Sequence, residues 1–434
     1  MKPKIMLSLS LALWAAGANS AEPWSLDDCV SYAIDHNIDV STRRLETLSG
    51  ELDVTAAKDR FLPQLSGYAS QSFNLGRALT ADNTYANRNT SSFSVGAQLS
   101  LPIFQGLSAV RRLDYARSGL RAMVEQLEAA KDDVTLNVIS QYLQALYSGE
   151  MLQVAKERLA ISRGELQRRS ALLESGKIPE LDIYQARQQV ASDELTVVNA
   201  TNDSIMALLD LAQLLNLPSA DGFSISPLAD TQLPLVSADD VFRNALQYNH
   251  SMRASALEVE SAEKNTALAK TGYIPTLSLN AGLGTNYYKT SGIDNENFGQ
   301  QMRHNFSQSF GFSLSVPIFD AFGTRNSVRR ARLQEENARL RLDDSRARLF
   351  KAINQAYTQA VGADKKRRAA DVAVEASRAA FEAMKQKYDF GRANATEFEE
   401  AKSNYTAAMA EAVQAKYESI LRTRILQFYN KSDI

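Results

Sequence analysis

The 434-residue sequence has only one cysteine, Cys29, and three histidines. A lone cysteine cannot form an internal disulfide, so Cys29 is expected to be a small buried hydrophobic residue. The histidines, His36, His250 and His304, lack the spacing of a metal site, and no glycine loop leads from a strand into a helix as a phosphate-binding loop would. These absences indicate a protein that is not an enzyme and holds no metal or other cofactor.

Neither sign of charge dominates, since 48 Lys and Arg residues stand against 50 Asp and Glu residues. This balance predicts no nucleic-acid partner and no polybasic membrane anchor. Long apolar runs are also missing, because the run from Ile5 to Ala16 is too short to span a bilayer comfortably. Lysines precede that run and small residues, Ala18–Ala21, follow it, so residues 1–21 are predicted to be the signal peptide of an exported protein.

The sequence repeats one long pattern twice. Pro63 aligns with Pro275 at a shift of 212 residues, and Pro102 aligns with Pro317 at a shift of 215. A repeat of this length predicts two similar, intertwined halves around a pseudo-symmetry axis. The predicted parts after the signal peptide are a first half, 22–217, a connector, 218–236, a second half, 237–430, and a short tail, 431–434.

Four segments alternate apolar and polar residues with the period of a β-strand. In the second segment, Phe93, Val95 and Leu99 alternate with serine, glycine and glutamine. Each segment has about the length that a tilted strand needs to cross an outer membrane, and its polar face suits a water-filled lumen. A soluble sandwich with one solvated face would show the same alternation. The predicted strands are 62–76, 91–102, 274–288 and 305–317.

A proline lies at the helix-proximal end of every predicted strand. The missing backbone donor is tolerated there because the strand ends and the chain changes direction. Polar loops around 80–89 and 291–304 are predicted to form the hairpin tips at the opposite ends of the strands. The predicted junctions between strands and helices are Pro63, Pro102, Pro275 and Pro317.

Long helical patterns lie between the strand pairs. No proline occurs between Gly106 and Pro179, and apolar residues from Leu113 to Val134 follow alternating steps of three and four, the spacing of a coiled-coil seam. Such a run could form a single helix of about 90 Å. The predicted helical parts are single helices over 26–60 and 238–271 and long hairpins over 107–216 and 324–429.

These elements require several copies of the chain. Four amphipathic strands cannot close a membrane barrel with a lumen, and an open sheet would leave unpaired backbone edges in lipid. Three copies supply 12 strands, an allowed even number, and bring their helical hairpins together as a second cylinder. The predicted fold is therefore a mixed α/β membrane protein that forms a trimeric, 12-stranded transmembrane β-barrel with four strands per chain.

Six short motifs flank the predicted strands or begin the exported chain. They are Trp24–Asp28, Ala33–Asn37, Phe61–Leu65, Leu101–Gly106, Tyr273–Leu277 and Val316–Gly323. In combination they resemble the TolC family of outer-membrane efflux proteins. The resemblance implies a homotrimer in the outer membrane of a Gram-negative bacterium, in contact with outer-membrane lipid. It also implies a 12-helix α-helical barrel that continues the β-barrel across the periplasm, with a belt of smaller elements around its middle.

The same resemblance implies a passive exit duct for drugs or other small molecules. Its partners would be a periplasmic adaptor protein and an inner-membrane transporter, which together form a tripartite efflux pump. An exit duct of a type I protein secretion system is an alternative within the family. A soluble periplasmic coiled-coil scaffold is an alternative outside it, although the four alternating strand segments argue against a scaffold.

The turns of the two helical hairpins align without a gap, 174–182 with 389–397. Structural roles account for them, because glycine at a helix end allows a left-handed residue, and Asn394 with Glu397 resembles a capping box. In the family these turns also dock the adaptor. Lysine and arginine depart from the apolar residue or threonine that usually follows the glycine there, and they suggest an acidic or carbonyl-rich partner. The predicted docking tips are Gly176, Lys177, Gly391 and Arg392.

Just inside the tips, the family closes its tunnel with acidic residues on the returning helix of the second hairpin. Glu397 and Glu400 match those positions and, three residues apart, share one helix face. Asp182 matches a position that ties neighbouring helices together at the closed end, and Tyr388 matches the aromatic member of that set. A solvated helix end is the alternative interpretation for each of these four residues, which together form the predicted channel gate.

Overall fold

The computed structural model describes residues 23–79, 83–228 and 234–430. The predicted signal peptide, 1–21, and the predicted tail, 431–434, lie outside the described residues. The described chain is mostly helical with a small sheet, and no helix in it has the length and hydropathy needed to cross a membrane. In chain order its elements are α1 Leu26–His36, α2 Ile38–Asp59, β1 Gln64–Asn74, β2 Arg77–Leu79, β3 Tyr85–Asn87, β4 Thr90–Phe104, α3 Ser108–Glu174, α4 Glu180–Leu214, α5 Ala238–Tyr248, α6 His250–Lys270, β5 Thr276–Thr290, α7 Phe298–His304, β6 Ser307–Ser315, α8 Gly323–Asp389 and α9 Ala395–Asn430.

The described residues divide into two compact units. Residues 23–40, 131–241 and 354–430 form the first unit, apart from the undescribed segment 229–233. Residues 41–130 and 242–353 form the second unit, apart from the undescribed segment 80–82. The first unit contains α4 and α9, the second contains the sheet, and α3 and α8 contribute residues to both.

The second unit contains a four-stranded antiparallel sheet with the order β1-β4-β5-β6. Among the described residues, the outer edges of β1 and β6 have no strand partner. The register pairs Leu65 with Leu99, Leu99 with Ala281, and Ala281 with Phe310. Because paired residues point to the same side of a sheet, the apolar sets of all four strands share one face. The opposite face carries mainly serine, asparagine and glycine.

Three of the four junction prolines lie just outside the strands, where their missing amide costs nothing. Pro63 and Pro275 precede β1 and β5, and Pro317 follows β6. The prediction that the second strand ends at Pro102 is wrong, because β4 continues to Phe104. The register of β4 against β5 shifts between these two residues, and this irregularity accommodates the proline within the strand.

The single helices predicted over 26–60 and 238–271 are each two helices. Asn37 has an extended backbone, with ψ of 136°, and its side chain accepts a 2.8 Å hydrogen bond from the amide of Asp39 at the start of α2. Asn249 likewise has ψ of 116°, and its side chain caps α6 through the amide of Met252. Asparagine therefore ends one helix and begins the next in both places, because its side chain replaces the missing backbone acceptor.

The core of the first unit surrounds the buried Tyr142 of α3. Its hydroxyl donates to the backbone oxygen of Ser226 at 2.6 Å and lies 3.1 Å from that of Trp24. These bonds fix both segments to α3, next to the isolated bridge between Trp24 and Ile225. Cys29 is fully buried nearby on α1, and burial raises the pKa of its thiol to about 12.

Tyr68 lies over two glycines on the polar face of the sheet. Gly96 pairs with Tyr68, and Gly284 pairs with Gly96 on the next strand. A Cβ atom added to Gly96 would lie 2.6 Å from the backbone oxygen of Leu283 and 2.8 Å from the hydroxyl of Tyr68. Only glycine fits at this position, because the nearest neighbour is backbone and cannot rotate away.

We expect Gly96→Ala to lower the free energy of unfolding by about 1–3 kcal/mol, the usual cost of overpacking. Gly311→Ala is the matched control. Gly311 lies on β6, on the same polar face of the sheet as Gly96, and an added Cβ would have no neighbour within 4 Å there. Thermal unfolding of the two variants and the parent protein measures the difference. Equal unfolding temperatures for both variants would contradict the close approach at Gly96.

Candidate functional site

The two turns predicted to be docking tips have the same backbone structure. The amide of Lys177 donates to the backbone oxygen of Leu172 at 2.9 Å, and the amide of Arg392 donates to that of Lys387 at 2.8 Å. Each is the long hydrogen bond of a Schellman motif, which satisfies carbonyl groups left free at a helix end. The two hairpins therefore end α3 and α8 in the same way.

Glycine is required at both tips for its backbone conformation. Gly176 and Gly391 have φ of +67° and +69°, and an added Cβ would have no neighbour within 4 Å at either. The side chains of Lys177 and Arg392 are exposed and form no ion pair with any described residue. Phe390 adds a large exposed apolar side chain next to the second glycine. The tips therefore present cationic and apolar groups to solvent.

Two predicted gate residues, Tyr388 and Asp182, are linked by two residues that the sequence analysis did not identify. The hydroxyl of Tyr388 donates to Glu165 Oε1 at 2.5 Å, and Arg169 Nε donates to the same oxygen at 2.6 Å. Arg169 Nη1 then donates to the backbone oxygen of Asp182 at 3.3 Å. The side chains of Glu165 and Arg169 are only 5% and 6% exposed. Asp182 is thus linked to Arg169 through its backbone oxygen.

The environment of Tyr388 keeps its phenol protonated and in place. Burial, followed by the hydrogen bond to Glu165, raises the pKa of Tyr388 above its usual value. The guanidinium of Arg168 lies 4.2 Å from the centre of the Tyr388 ring and donates to the backbone oxygen of that residue at 2.8 Å. The ring also stacks on Phe398 of α9, with 4.8 Å between ring centres. A hydroxyl, a cation and an aromatic ring therefore join α3, α8 and α9.

The other two predicted gate residues lie at the start of α9. Glu397 accepts a 2.9 Å hydrogen bond from the amide of Asn394, and the Asn394 side chain accepts one of 2.9 Å from the amide of Glu397. This reciprocal pair is a capping box. Glu400 is exposed one turn later. Neither carboxylate has a described contact with Tyr388 or Asp182, so the chain separates the predicted gate into a linked pair and an exposed acidic pair.

A buried ion pair that the sequence analysis missed joins α4 and α9. Lys402 Nζ lies 3.9 Å from Asp193 Oδ2, and the two side chains are 1% and 0% exposed. Ser162 of α3 connects them, because it accepts a 2.9 Å bond from Lys402 and donates to the Asp193 carboxylate. Lys402 also pairs with Glu399 at 2.6 Å. The sequence signal was available, since Lys402 lies between Phe398 and the buried Tyr405 in a seam of four- and three-residue steps.

Removing one partner of the Lys402–Asp193 pair should lower the free energy of unfolding more than removing both partners. Lys402→Met removes the buried ammonium, and the Asp193 carboxylate keeps Arg158 Nε at 2.8 Å and the Ser162 hydroxyl as partners, so we expect the free energy of unfolding to fall by about 1–3 kcal/mol. The double variant Lys402→Met with Asp193→Leu should recover part of that loss, because it removes the buried carboxylate as well, and Arg158, the other partner of Asp193 at 2.8 Å, is 35% exposed and can be solvated. Chemical denaturation of both variants measures the difference.

The matched control is Lys416→Met, which removes a half-exposed pair with Glu150. Exposed pairs contribute about 0–1 kcal/mol, so this variant should differ little from the parent protein. A double variant that is less stable than Lys402→Met alone would contradict the assigned role of the pair.

No three His, Cys, Asp or Glu side chains in the described ranges converge as metal ligands would. The contacts described above are polar links between helices and exposed helix ends. The site contains aromatic, cationic and anionic side chains on α3, α4, α8 and α9 and on the turns that join these helices, all within the first unit.

Comparison with known proteins gives a consistent assignment. A family model described as "Outer membrane efflux protein" matches residues 29–217 and 241–425. Outer membrane protein TolC of Vibrio cholerae is 25% identical over 377 residues, which cover 85% of this chain and 82% of that protein. Alkaline protease secretion protein AprF of Pseudomonas aeruginosa is 22% identical over 371 residues, which cover 82% of this chain and 75% of AprF.

A solved structure shares the fold of the chain. The Campylobacter jejuni CmeC outer membrane channel superimposes with a TM-score of 0.78 and 20% identity, over 93% of this chain and 85% of CmeC. At this level of identity the likeness concerns the fold alone.

Proposed function

The chain belongs to the outer membrane efflux protein family, and from this membership we propose that three copies of it assemble into one exit duct. The chain is an outer-membrane efflux protein of a Gram-negative bacterium, and its family consists of channel-forming proteins rather than enzymes. Family membership also shows that the alternative of a soluble periplasmic scaffold is wrong.

The observation that carries the trimer proposal is the sheet with two open edges. Phe310 of β6 and Leu65 of β1 are 84% and 73% exposed on the apolar face of the two outer strands. An apolar face of this kind suits lipid, whereas unpaired edges in lipid are strongly disfavoured. Pairing β6 of one copy with β1 of the next removes both edges, and three copies give a barrel of 12 strands.

The helices support the same assembly. On α4, apolar residues that the described part of the chain leaves exposed recur at helical spacing, which suits a seam with a neighbouring copy. The element order also supports the internal repeat, because two helices, two long strands and two long helices occur in that order twice. Three copies of two hairpins would form a barrel of 12 helices. The exposed seam of α4 is Leu181, Leu195, Val198, Ile205 and Leu209.

Arginine substitutions on the two faces of β6 test the barrel. Phe312→Arg would place a charge in lipid, at a cost of about 2–4 kcal/mol near the bilayer midplane, and should block trimer assembly. Ser313→Arg, the next residue, would point into the lumen and should leave the trimer intact with altered conductance. Gel filtration in detergent and planar-bilayer recordings measure both effects. A monomer with full strand content, or equal tolerance of both changes, would contradict the barrel.

The tips suit the docking of a periplasmic adaptor that connects the duct to an inner-membrane transporter. Lys177 and Arg392 are exposed beside the two left-handed glycines, so an acidic or carbonyl-rich surface is the expected partner. Drugs or other small molecules are the proposed cargo. A type I protein secretion system is a second candidate, favoured by the relative AprF, whose name describes alkaline protease secretion.

The proposed gate consists of Glu397, Glu400, Asp182 and Tyr388. In a trimer each carboxylate would occur three times around the narrow end of the tunnel. A ring of carboxylates at a constriction attracts cations. The closed duct should therefore be selective for cations and sensitive to divalent ions. The bonds of Tyr388 to Glu165 and of Arg168 to the backbone oxygen of Tyr388 would hold the two hairpins of each copy together in that state, with Arg169 positioning Glu165.

The double variant Glu397→Gln with Glu400→Gln separates charge from shape. Glutamine can still accept the capping hydrogen bond of Asn394, so the trimer should form normally. We expect cation selectivity and divalent block to disappear in single-channel recordings. The double variant Glu174→Gln with Glu180→Gln, which removes the same charge at the outside of the first tip, should retain both. If cation selectivity survives in the Glu397→Gln and Glu400→Gln variant, the gate does not consist of these two residues, and Asp182 is the next residue to test.

A further inference from the structure

The junction between β6 and α8 carries strongly exposed apolar side chains. Ile318 is 93% exposed and Phe319 is 75% exposed. Phe322 follows them, with its ring 5.5 Å from that of Phe319. All three lie immediately beyond Leu314, at the helix-proximal end of the apolar face of the sheet. The apolar face therefore continues past the last paired strand residue to the start of the helix.

A cluster of arginines begins directly after these residues. The first three turns of α8, 323–334, contain Arg325, Arg329, Arg330 and Arg332 but neither Asp nor Glu. All four arginines are exposed, and none forms an ion pair with a described residue. Positive charge at the amino end of a helix opposes the helix dipole. Helix stability therefore does not explain the cluster, whereas an external anion would.

The apolar group and the cationic group form one surface. The guanidinium carbon of Arg325 lies 5.5 Å from the centre of the Phe322 ring. The turn between them is fixed by Asp320, whose carboxylate accepts hydrogen bonds of 2.6 Å from both the amide and the hydroxyl of Thr324. We refer to Ile318, Phe319, Phe322, Arg325, Arg329 and Arg330 as the junction surface.

We propose that the junction surface binds anionic phospholipid headgroups of the periplasmic leaflet of the outer membrane. The inference rests on the proposed placement of the strands in lipid. Continuity with the apolar sheet face places Ile318, Phe319 and Phe322 at the boundary of that leaflet, where aromatic side chains are favoured. Arginine binds phosphate through a planar, bidentate fork, and basic clusters beside a membrane segment attract anionic lipid.

The first half of the chain has a similar but weaker arrangement. Ile103, Phe104 and Leu107 are exposed at the end of β4, and α3 begins after them with Arg111 and Arg112. One acidic residue, Asp114, lies 3.8 Å from Arg111. Because this arginine already has a partner, we assign the stronger lipid contact to α8.

Lipid titration of the purified full-length trimer tests the proposal. Native mass spectrometry would count phosphatidylglycerol and phosphatidylcholine bound to the parent protein and to Arg329→Gln with Arg330→Gln. We expect the double variant to bind phosphatidylglycerol about 10- to 30-fold more weakly and phosphatidylcholine unchanged. The matched control is Arg341→Gln with Arg346→Gln, two exposed arginines farther along α8, which should bind both lipids as the parent does.

Three outcomes would overturn the proposal. Equal binding of the two lipids by the parent protein would exclude recognition of anionic headgroups. Displacement of phosphatidylglycerol by millimolar inorganic phosphate would indicate a site for free phosphate. If the Arg329→Gln and Arg330→Gln variant loses the trimer and the Arg341→Gln and Arg346→Gln control keeps it, the first two arginines pair with acidic residues of a neighbouring copy. A parent protein that is neither trimeric nor conducting would instead contradict the proposed function.

A second variant tests the apolar part independently of charge. Phe322 has a left-handed backbone, with φ of +65°, and asparagine tolerates that conformation. Phe322→Asn should therefore keep the turn and remove only the ring. We expect it to weaken the binding of both lipids by a similar factor, since the ring would contact acyl chains common to both. Unchanged binding of both lipids would contradict the placement of this residue at the leaflet boundary.

Discussion

The backbone hydrogen bonds at the edges of the sheet constrain the rest of the molecule. A buried amide or carbonyl group without a partner costs several kcal/mol in an apolar medium. The chain presents such groups along β1 and β6 and places apolar side chains on one face of the same strands. The register that pairs Leu65 with Leu99 cannot slip by one residue, because every side chain would then change face. An apolar face and open edges together make the isolated chain incomplete.

Short-range patterns account for what the sequence predicts well. A period of two identifies strands such as Phe93–Leu99, and a proline marks where each strand approaches a helix. Glycines at the hairpin turns are identified because only a left-handed residue ends a helix in this way, and Gly176 and Gly391 both do so. The helix boundaries at Asn37 and Asn249 are also marked by a local residue type, since asparagine is a strong helix cap.

Long-range pairing accounts for what the sequence does not predict. Tyr388 was recognisable, but its partner Glu165 lies 223 residues away, and no local pattern selects one glutamate on a helix of 67 residues. The arginines at the start of α8 were missed for another reason. The charge of the whole chain is nearly balanced, and an average over 434 residues hides a cluster in three helical turns.

The two polar links of the first unit differ in the charge that separation would leave buried, and this difference indicates where the helices can separate. The carboxylate of Asp193 and the ammonium of Lys402 are fully enclosed, so parting them would leave charges in an apolar interior. At Tyr388 the group that would leave is a neutral phenol, and the buried Glu165 keeps Arg169 of its own helix as a partner. Arg168 and Asp389 beside it are 29% and 47% exposed, so water can replace their contact. Separation of the hairpins should therefore begin at Tyr388 and stop before Lys402. The buried pair would act as the fixed end about which the tips move.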